Sequence, residues 1–145
     1  MDQVIQELLP IIENEALLHN IEVRYISPEK PCRPVWAGEE LLKQVILNLC
    51  KNGIEAMDEG GILSIRLIFL PNDDFLTLEV QDNGPGISSQ AMNKIFDPFY
   101  TTKENGTGLG LPVCKRIIQD LKGDIQVSSG ETGAVFRIKL PCFSG

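Results

Sequence analysis

The chain has 145 residues, the size of one domain, with 43% hydrophobic and 23% charged residues. This ordinary globular composition excludes a disordered tail, a collagen-like chain and a coiled coil. Lys and Arg total 13 against 20 Asp and Glu, a formal net charge of −7, which excludes broad binding to nucleic acid or anionic lipid because the long-range field repels phosphate.

Residues 2–19 carry apolar side chains at helical spacing: Val4, Ile5, Leu8, Leu9, Ile11, Ile12, Leu17 and Leu18. Pro10 is expected to kink or split that helix. The opening MDQVIQELLP lacks the basic and apolar regions of a signal peptide, and no apolar run approaches the ~18 residues of a membrane span. Residues 21–26 alternate apolar and polar and predict a strand. The three prolines between Ser27 and Pro34 mark a loop. Helical spacing returns over 39–57, and Asp58-Glu59-Gly60-Gly61 ends it. Strands over 62–70 and 75–80 read as a hairpin around Pro71-Asn72-Asp73-Asp74. A glycine-containing loop follows at 82–86, then a short serine-capped helix over 88–95. Residues 96–108 read as a long loop, 109–121 as an amphipathic helix, and 124–127 and 134–140 as strands separated by 128–133. Helices alternating with antiparallel strands predict an α+β, two-layer sandwich with a mixed sheet. The four cysteines are scattered, form no CxxC and accompany a single histidine. They predict free thiols in a reducing, cytoplasmic setting and no zinc site.

Four stretches carry candidate chemistry. Asn48 and Asn52 lie four apart on one helix face, around Lys51 and with Glu55 beyond. This fits a solvated polar face, and it also fits a hard carboxamide ligand for Mg²⁺ that bridges to substrate phosphates. Asp82-Asn83-Gly84-Pro85-Gly86-Ile87 follows a strand. It fits a plain turn, and it also fits a flat-ligand site in which Asp82 accepts from an exocyclic amine. Phe96-Asp97-Pro98-Phe99-Tyr100-Thr101-Thr102-Lys103 fits an apolar cluster under a loop, and it also fits an anchored segment whose Lys103 reaches a phosphate. Gly106-Thr107-Gly108-Leu109-Gly110-Leu111 opens a helix, where exposed amides and the helix dipole favour phosphate. It is neither the dinucleotide GxGxxG in its strand-turn-helix context nor a P-loop, and a plain hinge is the competing reading. Together, in this order within one small domain, the four functional readings outweigh the four bland ones.

In that order the stretches resemble the N, G1, F and G2 boxes of the catalytic, ATP-binding domain of sensor histidine kinases. That family lies within the gyrase, chaperone, kinase and mismatch-repair superfamily. The likeness runs from about Ile21 to Pro141, and IFDPFYTTK followed by GTGLGL resembles the nitrogen-regulation and sporulation kinases. The resemblance implies a Bergerat ATP-binding fold: a mixed five-stranded sheet covered by three helices, with a flexible ATP lid over 98–108. It implies ATP and Mg²⁺ as cofactors, with Asn52 on the metal and Asn48 and Lys51 near the phosphates. Asp82 would accept from adenine N6, with Gly84, Gly86 and Ile87 shaping the base pocket; Gly106, Thr107, Gly108, Leu109 and Gly110 would wrap the phosphates through backbone amides, Lys103 would reach a phosphate, and Phe96 and Leu111 would also bind the nucleotide. Asn48, Lys51 and Lys103 are the candidate catalytic residues. Ser129-Gly130-Glu131-Thr132-Gly133-Ala134-Val135-Phe136 falls where the family's last glycine box lies; Ala134 stands where many members carry Thr, so the water-linked contact of that Thr to Asp82 is not carried over.

The implied activity is transfer of the γ-phosphate to a histidine in two-component signalling. The hydrolytic branches usually carry Glu where Asn48 stands, and a carboxamide cannot take a proton as a general base. A hydrolytic ATPase and a nucleotide sensor without kinase output are the rival readings. His19 is the only histidine and has no acid after it, so it does not fit the family's phosphoacceptor motif. Residues 1–145 are therefore expected to be one catalytic domain, with 1–20 the junction to a dimerisation hairpin elsewhere. The expected partners are the dimerisation and histidine-phosphotransfer domain of the same kinase and, indirectly, a response regulator, with no nucleic acid. The domain alone is expected to be monomeric and cytoplasmic, on a full-length kinase that can be membrane-attached.

Overall fold

A computed structural model describes residues 1–28, 38–57, 60–69, 74–92, 94–97, 110–130 and 133–142. The elements are α1 (Asp2–Leu17), β1 (Ile21–Ile26), α2 (Glu39–Glu55), β2 (Gly61–Phe69), β3 (Phe75–Gln81), α3 (Ser89–Met92), α4 (Gly110–Asp120), β4 (Asp124–Gly130) and β5 (Gly133–Pro141). The five strands form one sheet in the order β1-β2-β3-β5-β4. β1 pairs with β2 in parallel and the other neighbours are antiparallel, so the sheet is mixed.

The side-chain period of two decides which face is covered. Leu63, Ile65 and Leu67 of β2, Leu76, Leu78 and Val80 of β3, and Phe136, Ile138 and Leu140 of β5 are all buried. The register places Leu67 beside Leu78, Leu78 beside Ile138 and Ile138 beside Ile125, so apolar rows run across the strands. On the other face Arg66 opposes Glu79 and Glu79 opposes Arg137, with Arg137 Nη2 3.4 Å from Glu79 Oε2.

Helices α1, α2 and α4 cover the apolar face. α1 buries Val4, Ile5, Leu8, Ile12 and Ala16, a stripe at helical spacing. α2 buries Leu42, Val45, Ile46, Leu49, Cys50, Gly53 and Ile54. Each fully buried Leu or Ile contributes roughly 1.5–3 kcal/mol, so the stripes, rather than propensity, hold the helices on the sheet. Surface links between α1 and its neighbours, Lys43 to Glu7 at 3.3 Å and the Tyr25 hydroxyl to the Asp2 carboxylate, add little to this. No helix among the described residues is long and apolar enough to cross a membrane.

The two-layer α+β sandwich with a five-stranded mixed sheet is as the sequence predicts, and several details differ. Pro10 neither splits nor ends α1, which runs unbroken from Asp2 to Leu17. The chain leaves it through Asn20 at φ 57. Ile11, Leu17 and Leu18, expected in the packed stripe, are exposed. β4 extends three residues past its predicted end at 127, because Ser128, Ser129 and Gly130 pair with Val135, Ala134 and Gly133. Among the described residues the predicted helix over 88–95 is helical at Ser89–Met92, with the Ser88 hydroxyl accepting from Ala91 N at 3.1 Å as the expected cap. The predicted lid, 98–108, lies outside the described residues.

Candidate functional site

α2 is the element around which the predicted residues gather. Asn48, Lys51 and Asn52 occupy its second half, with Lys51 exposed and Asn48 and Asn52 half-buried. One turn of its C-terminal end abuts the loop that follows β3. A Cβ on Gly53 would stand 3.7 Å from the Asp82 Cβ, and one on Gly84 would stand 2.8 Å from the Ala56 carbonyl oxygen. The helix that carries the asparagines and the loop that carries Asp82 are therefore in direct contact.

Asp82 is buried, at 3% exposure. Its backbone N–H donates to the Ala134 carbonyl at 3.1 Å. Its Oδ1 accepts from Gly84 N at 3.0 Å and, at a longer 3.4 Å, from Ala134 N. Among the described residues both donors fall on Oδ1, which leaves Oδ2 to accept from outside. Burial raises the carboxyl above its ordinary value, and the two backbone N–H donors only partly offset this. A buried acceptor held by one oxygen and open at the other suits a neutral amine donor on a ligand.

The backbone around Asp82 is fixed from three sides. Asn83 Oδ1 accepts from Ile62 N at 2.9 Å, tying the loop to the start of β2. Asn83 N donates to Met57 Sδ at 3.4 Å, tying it to the end of α2. On the third side, Ser129 Oγ accepts from Ile87 N at 2.6 Å. Beneath lies Gly133 at φ +116, where a Cβ would overlap the Asp82 carbonyl, so only glycine lets β5 pass so close. Sequence reasoning set Asn83 in the Asp82 motif and Ser129 in the last glycine box, but gave neither of them, nor Met57, a tethering role. Asn83 sits in a common turn tripeptide, and the partners of all three lie at least 21 residues away, so no local pattern marks them.

Asn48 lies near Cys114 of α4, where its carboxamide favours the ionised sulfur, and the Cys114 thiol donates to the Val45 carbonyl at 3.9 Å. Cys114 is fully buried, and burial pushes its thiol up to about 11 despite the Asn48 donor; burial alone pushes Cys50 up to about 12. Both stay protonated at neutral pH and are poor nucleophiles. Cys50 and Cys114 are free thiols, as the sequence predicts. The contact joins α2 to α4 one turn past Gly110 and beside Leu111. Phe96 is half-buried, with Lys115 Nζ of α4 5.0 Å from its ring centre, a cation–π contact. Lys103, Gly106, Thr107, Gly108 and Leu109 lie outside the described residues.

The described residues thus bring Asp82 and Gly84 against the end of the helix that carries Asn48 and Asn52, with Gly86 and Ile87 held against β4 at the far end of the same loop. Among the described residues no cluster of three or more His, Cys, Asp or Glu could hold a metal. A groove of about 690 Å³ between α1 and α2, lined by residues including Leu8, Ile11, Leu41 and Leu47, includes none of the predicted site residues.

Comparison with known proteins gives the family and the fold. The sequence model of the histidine kinase-, DNA gyrase B- and HSP90-like ATPases matches residues 37–143. Sporulation kinase D of Bacillus subtilis (strain 168) is 45% identical over 144 residues, which is 97% of this chain and 28% of that kinase. The chain thus spans little more than a quarter of that relative's length. The nucleotide-free catalytic domain of histidine kinase ThkA superposes with a TM-score of 0.87 at 34% identity, covering 98% of this chain and 92% of that one. ThkA in complex with the response regulator protein TrrA superposes with a TM-score of 0.82 at 30% identity, over 99% of this chain and 40% of that one. By sequence and fold together, the chain belongs to the histidine kinase-, DNA gyrase B- and HSP90-like ATPase family and has the fold of a histidine kinase catalytic domain.

Proposed function

We propose that this domain binds Mg·ATP at the end of α2 and presents the γ-phosphate to a histidine on a separate helical domain of the same kinase. The observation that carries the reading is Asp82: a buried carboxylate, tied through Oδ1 to Gly84 and Ala134, with Oδ2 open to the amino group of adenine. Gly84, Gly86 and Ile87 border the base. Phe96 and Leu111 flank the approach to the phosphates, which Gly110 and the preceding Gly106, Thr107, Gly108 and Leu109 meet through backbone amides. Lys51 and Lys103 supply positive charge in an otherwise acidic chain.

The donor chemistry suits a hard cation that keeps waters and shares phosphate oxygens, because the carboxamide oxygen of Asn52 is a hard ligand and the described residues offer no carboxylate cage. Bound there, Mg²⁺ would neutralise charge on the phosphates. The chain's own part is positioning and electrostatics, as in phosphoryl transfer generally. Asn52 orients the phosphate end, and Asn48 lines it without acting as a base. That carboxamide favours transfer to a histidine over hydrolysis, since no carboxylate stands at this point of α2 to activate water.

The response regulator is proposed as the downstream partner, reached through the phosphorylated histidine. The test is phosphotransfer from γ-labelled ATP to a separately supplied histidine-bearing helical hairpin from the same kinase. Label should appear on the hairpin with Mg²⁺ and be lost with Asn52→Ala. Release of free phosphate with an unlabelled hairpin would favour the hydrolytic reading.

A further inference from the structure

We propose that Ser129 is a positioning residue for base recognition: its hydroxyl holds the far end of the 82–87 loop and so fixes the geometry in which Asp82 meets the base. The proposal rests on the adenine reading of Asp82.

The loop has no ladder of its own, so its place depends on a few tethers to the body of the domain. Asn83 holds its beginning, through Ile62 and Met57. At its end Ile87 N donates to Ser129 Oγ at 2.6 Å. Gly86, at φ +82, is pressed against the same point, since a Cβ there would stand 2.7 Å from both Ser129 Oγ and the Gly130 carbonyl oxygen.

Ser129 pairs across the β4–β5 ladder with Ala134. Ala134 is the residue that accepts from Asp82 N and donates to Asp82 Oδ1. One rung of the ladder therefore grips both ends of the loop, Asp82 through Ala134 and Ile87 through Ser129. β4 is an edge strand, and Ser129 is half-buried at its inner end. A serine there adds little packing, so its use at this position is the hydroxyl. Removing that oxygen leaves the Ile87 N–H without its acceptor and frees the half of the loop that borders the base. Asp82 keeps its own bonds but loses a fixed base opposite them.

The test uses the full 145-residue chain and its Ser129→Ala and Ser129→Thr variants. Calorimetric titration with ATP and with inosine triphosphate, which lacks the exocyclic amine, gives the preference of each. Hydrogen exchange reports on the Ile87 amide. Loss of one hydrogen bond predicts that Ser129→Ala narrows the ATP preference roughly fivefold, chiefly by weakening ATP, and that Ile87 exchanges faster. Ser129→Thr, which restores the hydroxyl, should restore both. An unchanged preference in Ser129→Ala, or equal weakening of both nucleotides with no rescue by Thr, overturns the positioning role and leaves the Asp82 reading standing. If the unaltered chain shows no preference for ATP, the adenine reading falls and this proposal with it.

Discussion

Asp82 is where stability and binding pull in opposite directions. Burial raises its carboxyl above the ordinary value, so the fold disfavours the ionised form that would best accept from a ligand. A raised carboxyl gives stability that is full below the unfolded value and is lost as pH rises through the folded one. At neutral pH the ionised group therefore costs the nucleotide-free domain stability. Asp82→Asn keeps an oxygen for Gly84 N and Ala134 N and removes that cost. Thermal melts at pH 7 should show the variant more stable than the unaltered domain, with the gap closing as pH falls below the carboxylate range. In the same variant ATP should bind about 10- to 150-fold more weakly, the loss of a charged acceptor. Unchanged ATP affinity would remove Asp82 from the base site, and an unchanged melt would mean that burial does not penalise it. Residue type and spacing marked Asp82 and the two asparagines as candidates, each with a bland reading beside it. The groups that hold Asp82 were not, because Asn83, Met57 and Ser129 act through contacts between distant elements.

The elements show the same division between local and tertiary signals. The helices and β2, β3 and β5 were legible because their apolar spacing matches the face that each buries. The end of β4 was not, because Ser128, Ser129 and Gly130 read locally as turn residues and are extended only by pairing with β5. Pro10 was read as a breaker, yet α1 passes through it while Ile5, Leu8 and Ile12 stay buried on either side; tertiary packing outweighs the missing N–H and the ring clash. That cost is still present in the fold. Pro10 is exposed, so Pro10→Ala removes it without opening a cavity and should stabilise the domain by up to about 3 kcal/mol. Urea unfolding measures this, and a lower midpoint for the variant would show that α1 is better served by proline. The exposure of Ile11, Leu17 and Leu18 was beyond a periodicity argument, since spacing gives a stripe and only the packed partner sets its width.

The whole molecule is an acidic chain, net −7, that is proposed to bind a polyanion. Its long-range field opposes this, so binding must come from local groups: backbone amides at the start of α4, the lysines, the Asn52 carboxamide and a cation shared with the phosphates. The sheet and α2 bring the Asp82 loop and the asparagine helix to one place although about 30 residues separate them in sequence. The proposed base end of the site is thus built by the fold itself, and it should select adenine. Calorimetric titration of the chain with ATP and with inosine triphosphate, each with and without Mg²⁺, tests this most directly. The account predicts saturable ATP binding strengthened by Mg²⁺, with inosine triphosphate at least about tenfold weaker for want of the donor that Asp82 accepts. Equal affinity for the two nucleotides, or no binding at millimolar ATP, would contradict it.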